Sequence, residues 1–464
     1  MRRILGGVIA LLCLLTAAAG AQAEQAAPAA TGVVTLQEAI NTALSNNKSI
    51  AIAQEKYVRS KALKRETMAN ALPQVKAQAT QSWMGPVPTV TFPGSGGGAS
   101  QTITLGSGHS TTAQIALSQL LDINGRISLA TGALDLNERI QNLNLARTAQ
   151  QVIFDVQNAY YNVLRAQGQR DVAQASVNSA SERLKVAKAQ FEAGTLPKFD
   201  VTRAEVEVAN LEQTLISSTS LVDVQKAALR NVMGSDPTQP IDIAPVSVNA
   251  QALNVTVDDS MKTAIAGRPE VQAAHAGVLL SKKVVAFAKR EALPTLAATA
   301  AYNYNAETTT FQPNSLSWVV GVNASIPIFT GGAIRARVDE ARSDEATAEA
   351  ALDQAKLDVG QDVKTATLNL SDSYQRIQTV EKNVGQAEEA LRLSQVRYQA
   401  GISLQVEVTD AETALAQARN NMVNATYDYA TALAKYQRVT ATQPEFKTAA
   451  AVASRPGRPM TEGK

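Results

Sequence analysis

The sequence predicts a mixed α and β membrane protein built from a duplicated unit. Similar motifs recur along its 464 residues at two nearly constant offsets. Two long stretches lack proline and repeat apolar residues with a seven-residue period, and four short segments alternate apolar and polar residues. Each unit is therefore expected to contribute a pair of strands and a pair of very long helices.

The two ends of the chain are expected to lie outside the folded part. Two arginines and an apolar run precede an Ala-Gln-Ala site, so residues 1–23 are predicted to be a secretory signal. The single cysteine, Cys13, lies within it, and the mature chain is expected to have neither a disulfide nor a cysteine metal site. Residues 443–464 contain three prolines and are expected to be a disordered tail.

Charge and histidine content argue against several classes of function. Without Arg2 and Arg3 the chain has 43 − 2 = 41 basic and 41 acidic residues, so nucleic acid is not an expected partner. The histidines His109 and His275 have no neighbour at metal-ligand spacing, so neither a metal site nor histidine-based catalysis is expected, and no cofactor is predicted. Beyond the signal no run approaches the ~18 apolar residues of a membrane helix, so any membrane segment must consist of strands.

The duplication is read from two offsets. Val34–Leu44 resembles Val255–Ile265 at an offset of 221, and Phe191–Gly194 resembles Tyr398–Gly401 at an offset of 207. The difference, 221 − 207 = 14 residues, is placed in the Gly-, Pro-, Ser- and Thr-rich segment Gly85–Ser110. This segment, with its glycine run, is expected to be an exposed loop.

The offsets divide the chain into two repeats joined by a linker. The first repeat is assigned to residues 24–233, the linker to 234–254 and the second repeat to 255–442. Each repeat is expected to begin with a helix of roughly 36 residues that ends at a Leu-Pro pair. A strand, a loop, a second strand, a very long helix, a turn after Ala-Gly and a returning helix then follow.

The very long helices have the pattern of a coiled coil. Residues at alternating spacings of four and three run from Val359 to Tyr398, and 207 positions earlier from Val152 to Phe191; nearly all are apolar. No proline interrupts either stretch. A period sustained this long predicts left-handed supercoiling of helices about 100 Å long. Taken alone, the pattern fits an ordinary soluble coiled coil equally well.

The four alternating segments are predicted to be membrane strands. Each has one largely apolar face, as in Val75, Ala77 and Ala79, or Val320, Val322 and Ala324. Four strands cannot close a barrel, and unpaired strand edges are costly in lipid, so the strands must be shared between chains. Three chains would supply a barrel of twelve strands. A soluble four-stranded sheet remains the alternative.

Several motifs together resemble the TolC-like outer-membrane efflux protein family, the outer membrane factors. They are Leu36-Gln37-Glu38-Ala39-Ile40, Ala71-Leu72-Pro73, Ile326-Pro327-Ile328-Phe329-Thr330-Gly331-Gly332 and Tyr398-Gln399-Ala400-Gly401. The resemblance spans roughly Thr35 to Thr442. It implies a homotrimer with a 12-stranded β-barrel, four strands per chain, in the outer membrane of a Gram-negative bacterium, continuous with a long α-helical coiled-coil barrel in the periplasm.

The resemblance also implies a function without chemistry. Such a protein is the exit channel of a tripartite efflux or type I secretion system and passes small molecules, metals or proteins to the exterior. Its expected partners are a periplasmic adaptor (membrane fusion protein), an inner-membrane RND or ABC pump, and outer-membrane lipid. A periplasmic coiled-coil adaptor or scaffold without channel activity is the alternative.

By the same resemblance, a pore gate is expected near the second helix turn. Its residues are Tyr398, Ser403, Glu407 and Asp410, with Asp200 at the matching position of the first repeat. Ser403 stands where the best-known member of the family has arginine. Glu407 and Asp410 share a helix face, so three copies would form acidic rings that favour cations. Arg203, the equivalent of Asp410 (203 + 207 = 410), is expected to pair with a gate carboxylate; a merely solvated acidic helix end is the alternative.

The two helix turns are the expected contacts for an adaptor. The residues are Gly194, Thr195 and Leu196 in the first turn, and Gly401, Ile402, Ser403 and Leu404 in the second. Glycine suits the tight reversal that ends a helix. Turn chemistry without a binding role explains the same residues equally well.

Overall fold

The structure is a computed structural model that describes residues 33–92, 99–104, 108–252, 256–307 and 314–443. The expected signal at residues 1–23, the glycine run Gly94–Gly98 and the tail from residue 444 onward lie outside the described residues. The last residues of the expected linker, 253–254, do so as well. The predictions for these segments therefore stay predictions.

The described residues form long helices and short strands in two similar series. In chain order they are α1 (Leu36–Asn46), α2 (Lys48–Ala69), β1 (Gln74–Trp83), β2 (Thr89–Phe92), β3 (Gln101–Thr104), β4 (His109–Leu121), α3 (Arg126–Glu192), α4 (Lys198–Met233), α5 (Val257–Gly267), α6 (Pro269–Lys289), β5 (Thr295–Asn305), β6 (Leu316–Ser325), α7 (Ala333–Gln399) and α8 (Gln405–Val439). A short 3-10 helix, Arg290–Ala292, follows α6.

The sequence offsets reappear in the bounds of the elements. Helices α3 and α7 are each 67 residues long and begin 333 − 126 = 207 positions apart. Helices α1 and α5 are each 11 residues long and begin 257 − 36 = 221 positions apart. At 1.5 Å per residue, each long helix spans about 100 Å. Among the described residues, no helix combines the length and the apolarity needed to cross a membrane.

The prediction of a single helix of roughly 36 residues at the start of each repeat is wrong, because two consecutive helices stand there in each case. Asn47 separates α1 from α2, and Arg268 separates α5 from α6, both in an extended conformation. The Asn47 side chain accepts a hydrogen bond from the Ser49 backbone nitrogen at 2.8 Å and donates one to the Val232 carbonyl at 2.7 Å. Arg268 precedes Pro269, and a residue before proline is disfavoured in the helical conformation.

The apolar heptad positions form the core between the long helices. Val152, Val156 and Val163 of α3 are buried, as are Val363 and Leu370 of α7. The packing loosens toward the turn, where the heptad residue Phe191 is exposed. The spacing therefore specified the buried stripe, except near its end.

A buried tyrosine anchors the linker near the middle of α3. The Tyr160 hydroxyl lies 2.6 Å from the Ala244 carbonyl and 3.0 Å from the Val34 carbonyl. Val34 and Ile243 form a parallel bridge beside it. The start of the first repeat and the linker are thus held together on one side of the helix pair.

The alternating segments of both repeats pair into one antiparallel sheet of order β1-β4-β5-β6. One cross-strand row joins Ala77 to Ile115, Ile115 to Tyr302, and Tyr302 to Trp318. The predicted apolar faces of the four strands therefore coincide. This face is uncovered: Trp83 and Trp318 are each 74% exposed. The edge strands β1 and β6 each have one free side within the described chain.

The segment Gly85–Ser110, expected to be a loop, contains a second hairpin. Strands β2 and β3 pair antiparallel, and the Thr91 and Thr102 hydroxyls lie 3.0 Å apart. Val90, Phe92 and Ile103 fall on the other face. The alternation of Thr-Val-Thr-Phe was the available signal, and the surrounding glycines and prolines concealed it.

Candidate pore gate and helix tips

Both helix pairs reverse direction through the same five-residue turn. Gly194 and Gly401 have positive φ angles, 76° and 75°, a conformation that glycine adopts without the strain of a side chain. The Thr195 nitrogen donates to the Gln190 carbonyl at 2.9 Å, and the Ile402 nitrogen donates to the Arg397 carbonyl at 3.0 Å. These bonds satisfy carbonyls that the helix end leaves unpaired. The turns are therefore defined structures that present fixed side chains.

The expected adaptor contacts differ in their exposure. Ile402 and Leu404 of the second turn are each 71% exposed, whereas Leu196 of the first turn is half-buried. Phe199, in the first turn of α4, is 73% exposed and was not among the expected contacts. It lies three residues beyond Leu196, so an aromatic residue close to the turn was the available signal. The two tips together present three large apolar side chains to solvent.

The second turn brings most of the expected gate residues together. The Tyr398 hydroxyl donates to Gln405 Oε1 at 2.9 Å, across the turn. Glu407 lies in the first turn of α8, where the helix dipole favours a carboxylate, and its Oε2 is 3.9 Å from Arg397 Nη2. Ser403 Oγ is buried without a hydrogen-bond partner in the described part of the chain. Asp410 is exposed one turn further along.

The first repeat places Asp200 and Arg203 near its own turn. Asp200 is half-buried in the first turn of α4, and Arg203 is exposed. Neither forms an ion pair with another described residue of this chain. Within one chain Arg397, rather than Arg203, lies beside Glu407. The sequence did not indicate Arg397 as a neighbour of the gate, because the equivalent residue of the first repeat, 207 positions earlier, is the uncharged Gln190.

Charged contacts that the sequence did not reveal join the two helix pairs. The Arg183 guanidinium of α3 contacts Glu207 of α4 at 2.6 Å and also contacts Glu412 of α8. It is 15% exposed. Further along, Arg165 Nη2 lies 2.7 Å from Asp428 Oδ1. The contacts with Glu412 and Asp428 hold α3 against α8, and they join residues too distant in sequence for a local pattern to indicate.

The histidines lie far from these turns. His109 begins β4, and its Nε2 is 3.6 Å from Glu307 Oε1, while His275 lies in α6. Within the described ranges, no group of three or more His, Cys, Asp or Glu side chains is arranged to hold a metal ion.

Relatives with known names match most of the chain. It is 26% identical over 294 residues to the outer membrane protein TolC of Vibrio cholerae serotype O1, covering 61% of this chain and 66% of the relative. It is 26% identical to the alkaline protease secretion protein AprF of Pseudomonas aeruginosa, covering 62% and 60%. The chain thus spans less than two thirds of the length of both. A probable efflux pump outer membrane protein, SepC of Pseudomonas putida, is 25% identical over 84% of this chain and 79% of its own.

Solved structures share the fold at low sequence identity. CusC, described as forming a transmembrane channel, superposes with a TM-score of 0.73 at 18% identity, over 87% of this chain and 91% of that chain. The open state of the MtrE outer membrane channel of Neisseria gonorrhoeae gives a TM-score of 0.70 at 20% identity, over 87% and 88%. The mixed α and β fold is therefore that of outer-membrane channels.

A sequence profile described as "Outer membrane efflux protein" matches residues 39–235 and 261–442. These ranges include all or part of each of the eight α-helices of the described chain. They also include the four strands of the main sheet. The chain belongs to the outer membrane efflux protein family.

Proposed function

We propose that this protein is an outer-membrane exit channel of an efflux or secretion system, with a long periplasmic portion. The observation that carries the proposal is the four-stranded sheet. It has one uncovered apolar face and two free edges, and it is continuous with helices about 100 Å long. A soluble domain gains nothing from such a face, whereas contact with lipid explains it.

The free edges support closure by several chains. Strand β6 of one chain would pair with β1 of the next, because unpaired strand edges are not tolerated in lipid. Three chains with four strands each give 3 × 4 = 12 strands. The apolar face then contacts lipid, and the polar face lines the lumen. We propose a homotrimer on this ground, with the long helices α3, α4, α7 and α8 of three chains forming the periplasmic coiled-coil barrel.

The helix tips are the proposed docking surface for a periplasmic adaptor. Gly194, Thr195 and Leu196 form one tip, and Gly401, Ile402, Ser403 and Leu404 form the other. The exposure of Ile402 and Leu404 supports this role, and Phe199 is added to the surface. Through the adaptor the channel would serve an inner-membrane RND or ABC pump.

The gate is proposed at the same end. Glu407 and Asp410 of three chains would form stacked acidic rings, with Asp200, Tyr398 and Ser403 nearby. Arg203 is unpaired within the described part of its own chain, so its proposed carboxylate partner belongs to a neighbouring chain. This arrangement would hold the tip shut and attract cations to it.

The names of the relatives suggest what is exported. One is a protein of alkaline protease secretion, and another belongs to a toluene efflux pump. We propose export of small molecules or proteins without covalent chemistry.

Conductance in planar lipid bilayers tests the channel and its gate together. Purified wild-type protein should insert and show small, stable conductance steps, because the gate is closed. Asp410→Asn and Arg203→Gln should each raise conductance several-fold, and Asp410→Asn should also weaken block by divalent cations. Glu205→Gln, an exposed acidic residue of α4 paired with Lys188, is the matched control.

The alternative function gives different results in the same preparation. A periplasmic adaptor or scaffold would be soluble without detergent and would never raise membrane conductance. Channels with unchanged conductance and unchanged cation block in both variants would remove the gate proposal while leaving the channel itself.

A further inference from the structure

The polar face of the sheet is almost free of charge. Apart from Leu120 and Val319, its rows consist of amides, hydroxyls and small side chains, as in the row that joins Gln78, Gln114, Asn303 and Ser317. The Gln114 side-chain nitrogen donates to Asn303 Oδ1 at 2.8 Å within that row. From residue 77 to residue 121 the sequence has no Asp, Glu, Lys or Arg, and from 293 to 334 it has one, Glu307.

Lys76 is the exception on this face. It is the one Lys, Arg, Asp or Glu in the four strands of the main sheet, and it shares its face with Gln74 and Gln78 of β1. Its cross-strand neighbours are small: Ala116 lies opposite it, and Ala301 lies opposite Ala116. The lysine side chain therefore has room to extend from the wall.

No carboxylate among the described residues neutralises Lys76. It is exposed and forms no ion pair with a described residue. Asp122, which directly follows β4, is six residues beyond Ala116, or about 20 Å along an extended chain. Its Oδ2 already accepts a hydrogen bond from the Ser128 backbone nitrogen. Glu307 lies past the opposite end of the sheet, 3.6 Å from His109.

We propose that Lys76 selects for negative charge in the lumen of the strand portion. The inference rests on the proposed function, because it needs the polar face to enclose a water-filled pore. Three chains then place three ammonium groups at one level of a lumen that is otherwise neutral. A ring of fixed charges in a low-dielectric wall attracts counter-ions and repels ions of its own sign. The ring favours inorganic anions and cargo with carboxylate, phosphate or sulfate groups.

Together with the proposed acidic rings of the gate, the Lys76 ring would give the channel two charge filters of opposite sign. The acidic residues at the helix tips meet cargo first, and Lys76 lies at the helix-proximal end of β1, three residues after Pro73. Cargo carrying both a cationic and an anionic group satisfies both filters. Cargo with only cationic groups meets a barrier at the second one.

Ion selectivity of the bilayer-inserted trimer tests this role. The reversal potential is measured across a KCl gradient for the wild type, Lys76→Gln, Lys76→Glu and Lys76→Arg. We expect Lys76→Gln to raise the potassium-to-chloride permeability ratio about two- to threefold, which corresponds to a loss of about half a kT of lumen potential per unit charge, because the potential acts on the two ions with opposite sign. Lys76→Glu should raise it further, and Lys76→Arg should leave it near the wild-type value.

The effect should depend on salt. Screening extends over about 10 Å at 0.1 M salt and about 3 Å at 1 M, so the difference between Lys76→Gln and wild type should shrink at high salt. Thr80→Gln, on the same face of β1, is the neutral control. Channels that insert normally but keep the wild-type permeability ratio in both Lys76→Gln and Lys76→Glu would overturn the inference and leave the channel proposal intact. Absence of any conductance in the wild type would overturn the proposed function, and the inference with it.

Discussion

Arg268 and its two carboxylate partners illustrate how a single residue can hold two helices together. The Arg268 side chain is 7% exposed, and it contacts Glu270 Oε1 at 2.6 Å and Asp362 Oδ2 at 2.9 Å. It thereby joins the start of α6 to α7. Burial alone would raise the pKa of Glu270, but the hydrogen bonds and charge of Arg268 outweigh it and hold that pKa below its usual value.

The shifted pKa of Glu270 predicts a pH dependence of stability. A carboxylate with a lowered folded-state pKa stabilises the fold above its unfolded pKa, about 4.3, and the stabilisation is lost as pH falls through the folded value. Glu270→Gln should therefore lower the free energy of unfolding by about 1–3 kcal/mol at neutral pH. The deficit should stay constant down to about pH 5 and shrink below about pH 4.3.

Thermal unfolding of the detergent-solubilised protein between pH 3.5 and 8 measures this deficit. Glu389→Gln, which removes an exposed partner of Arg392 on one helix face, is the control and should change little at any pH. If Glu270→Gln remains equally destabilised at the lowest pH, the substitution removes packing and not a charge interaction.

At the scale of the elements, two glycines of the long helices have opposite surroundings. A side chain added at Gly168 of α3 would meet Val423 of α8 at 2.9 Å, whereas one added at Gly385 of α7 would meet nothing within 4 Å. Valine is stiff about χ1, so α8 must shift to admit the extra methyl. Gly168 therefore permits the close approach of α3 and α8.

Alanine at these two positions separates helix propensity from packing. Gly385→Ala should stabilise the protein by up to about 1 kcal/mol, because glycine is a poor helix former. Gly168→Ala should give no such gain and should lower the melting temperature, because the contact with Val423 offsets the propensity. The melting temperatures of the two variants distinguish the two effects. An equal increase in both would show that the approach of α3 and α8 is not tight.

The sequence predicted those elements whose signal is local and periodic. The heptads from Val152 placed the buried stripe of α3, and the alternation in β1, β4, β5 and β6 fixed which face of the sheet is apolar. The break at Asn47 was missed because one capping residue interrupts an otherwise continuous helical composition. The contacts of Arg183 with Glu207 and Glu412 were beyond prediction, since they depend on how α3, α4 and α8 pack. Of the candidate gate, the sequence indicated the turn and its carboxylates but not the neighbour, Arg397.

At the scale of the whole molecule, each chain is proposed to form one part of a wall that neighbouring chains complete. The duplication supplies two strand pairs and two helix pairs, and the sheet joins the repeats through the contact of β4 with β5. Its outer edges remain open, and its apolar face remains uncovered. The proposed homotrimer would remove both deficits, because neighbouring copies would complete the wall in lipid, and the proposal therefore makes assembly a requirement of this fold.

Native mass spectrometry of protein extracted from the outer-membrane fraction tests that requirement most directly. Three copies of the mature chain in one detergent-stable particle, dissociating to single chains on heating, is the predicted result. A single chain recovered from the soluble periplasmic fraction, with no particle of higher mass in the membrane, would contradict it.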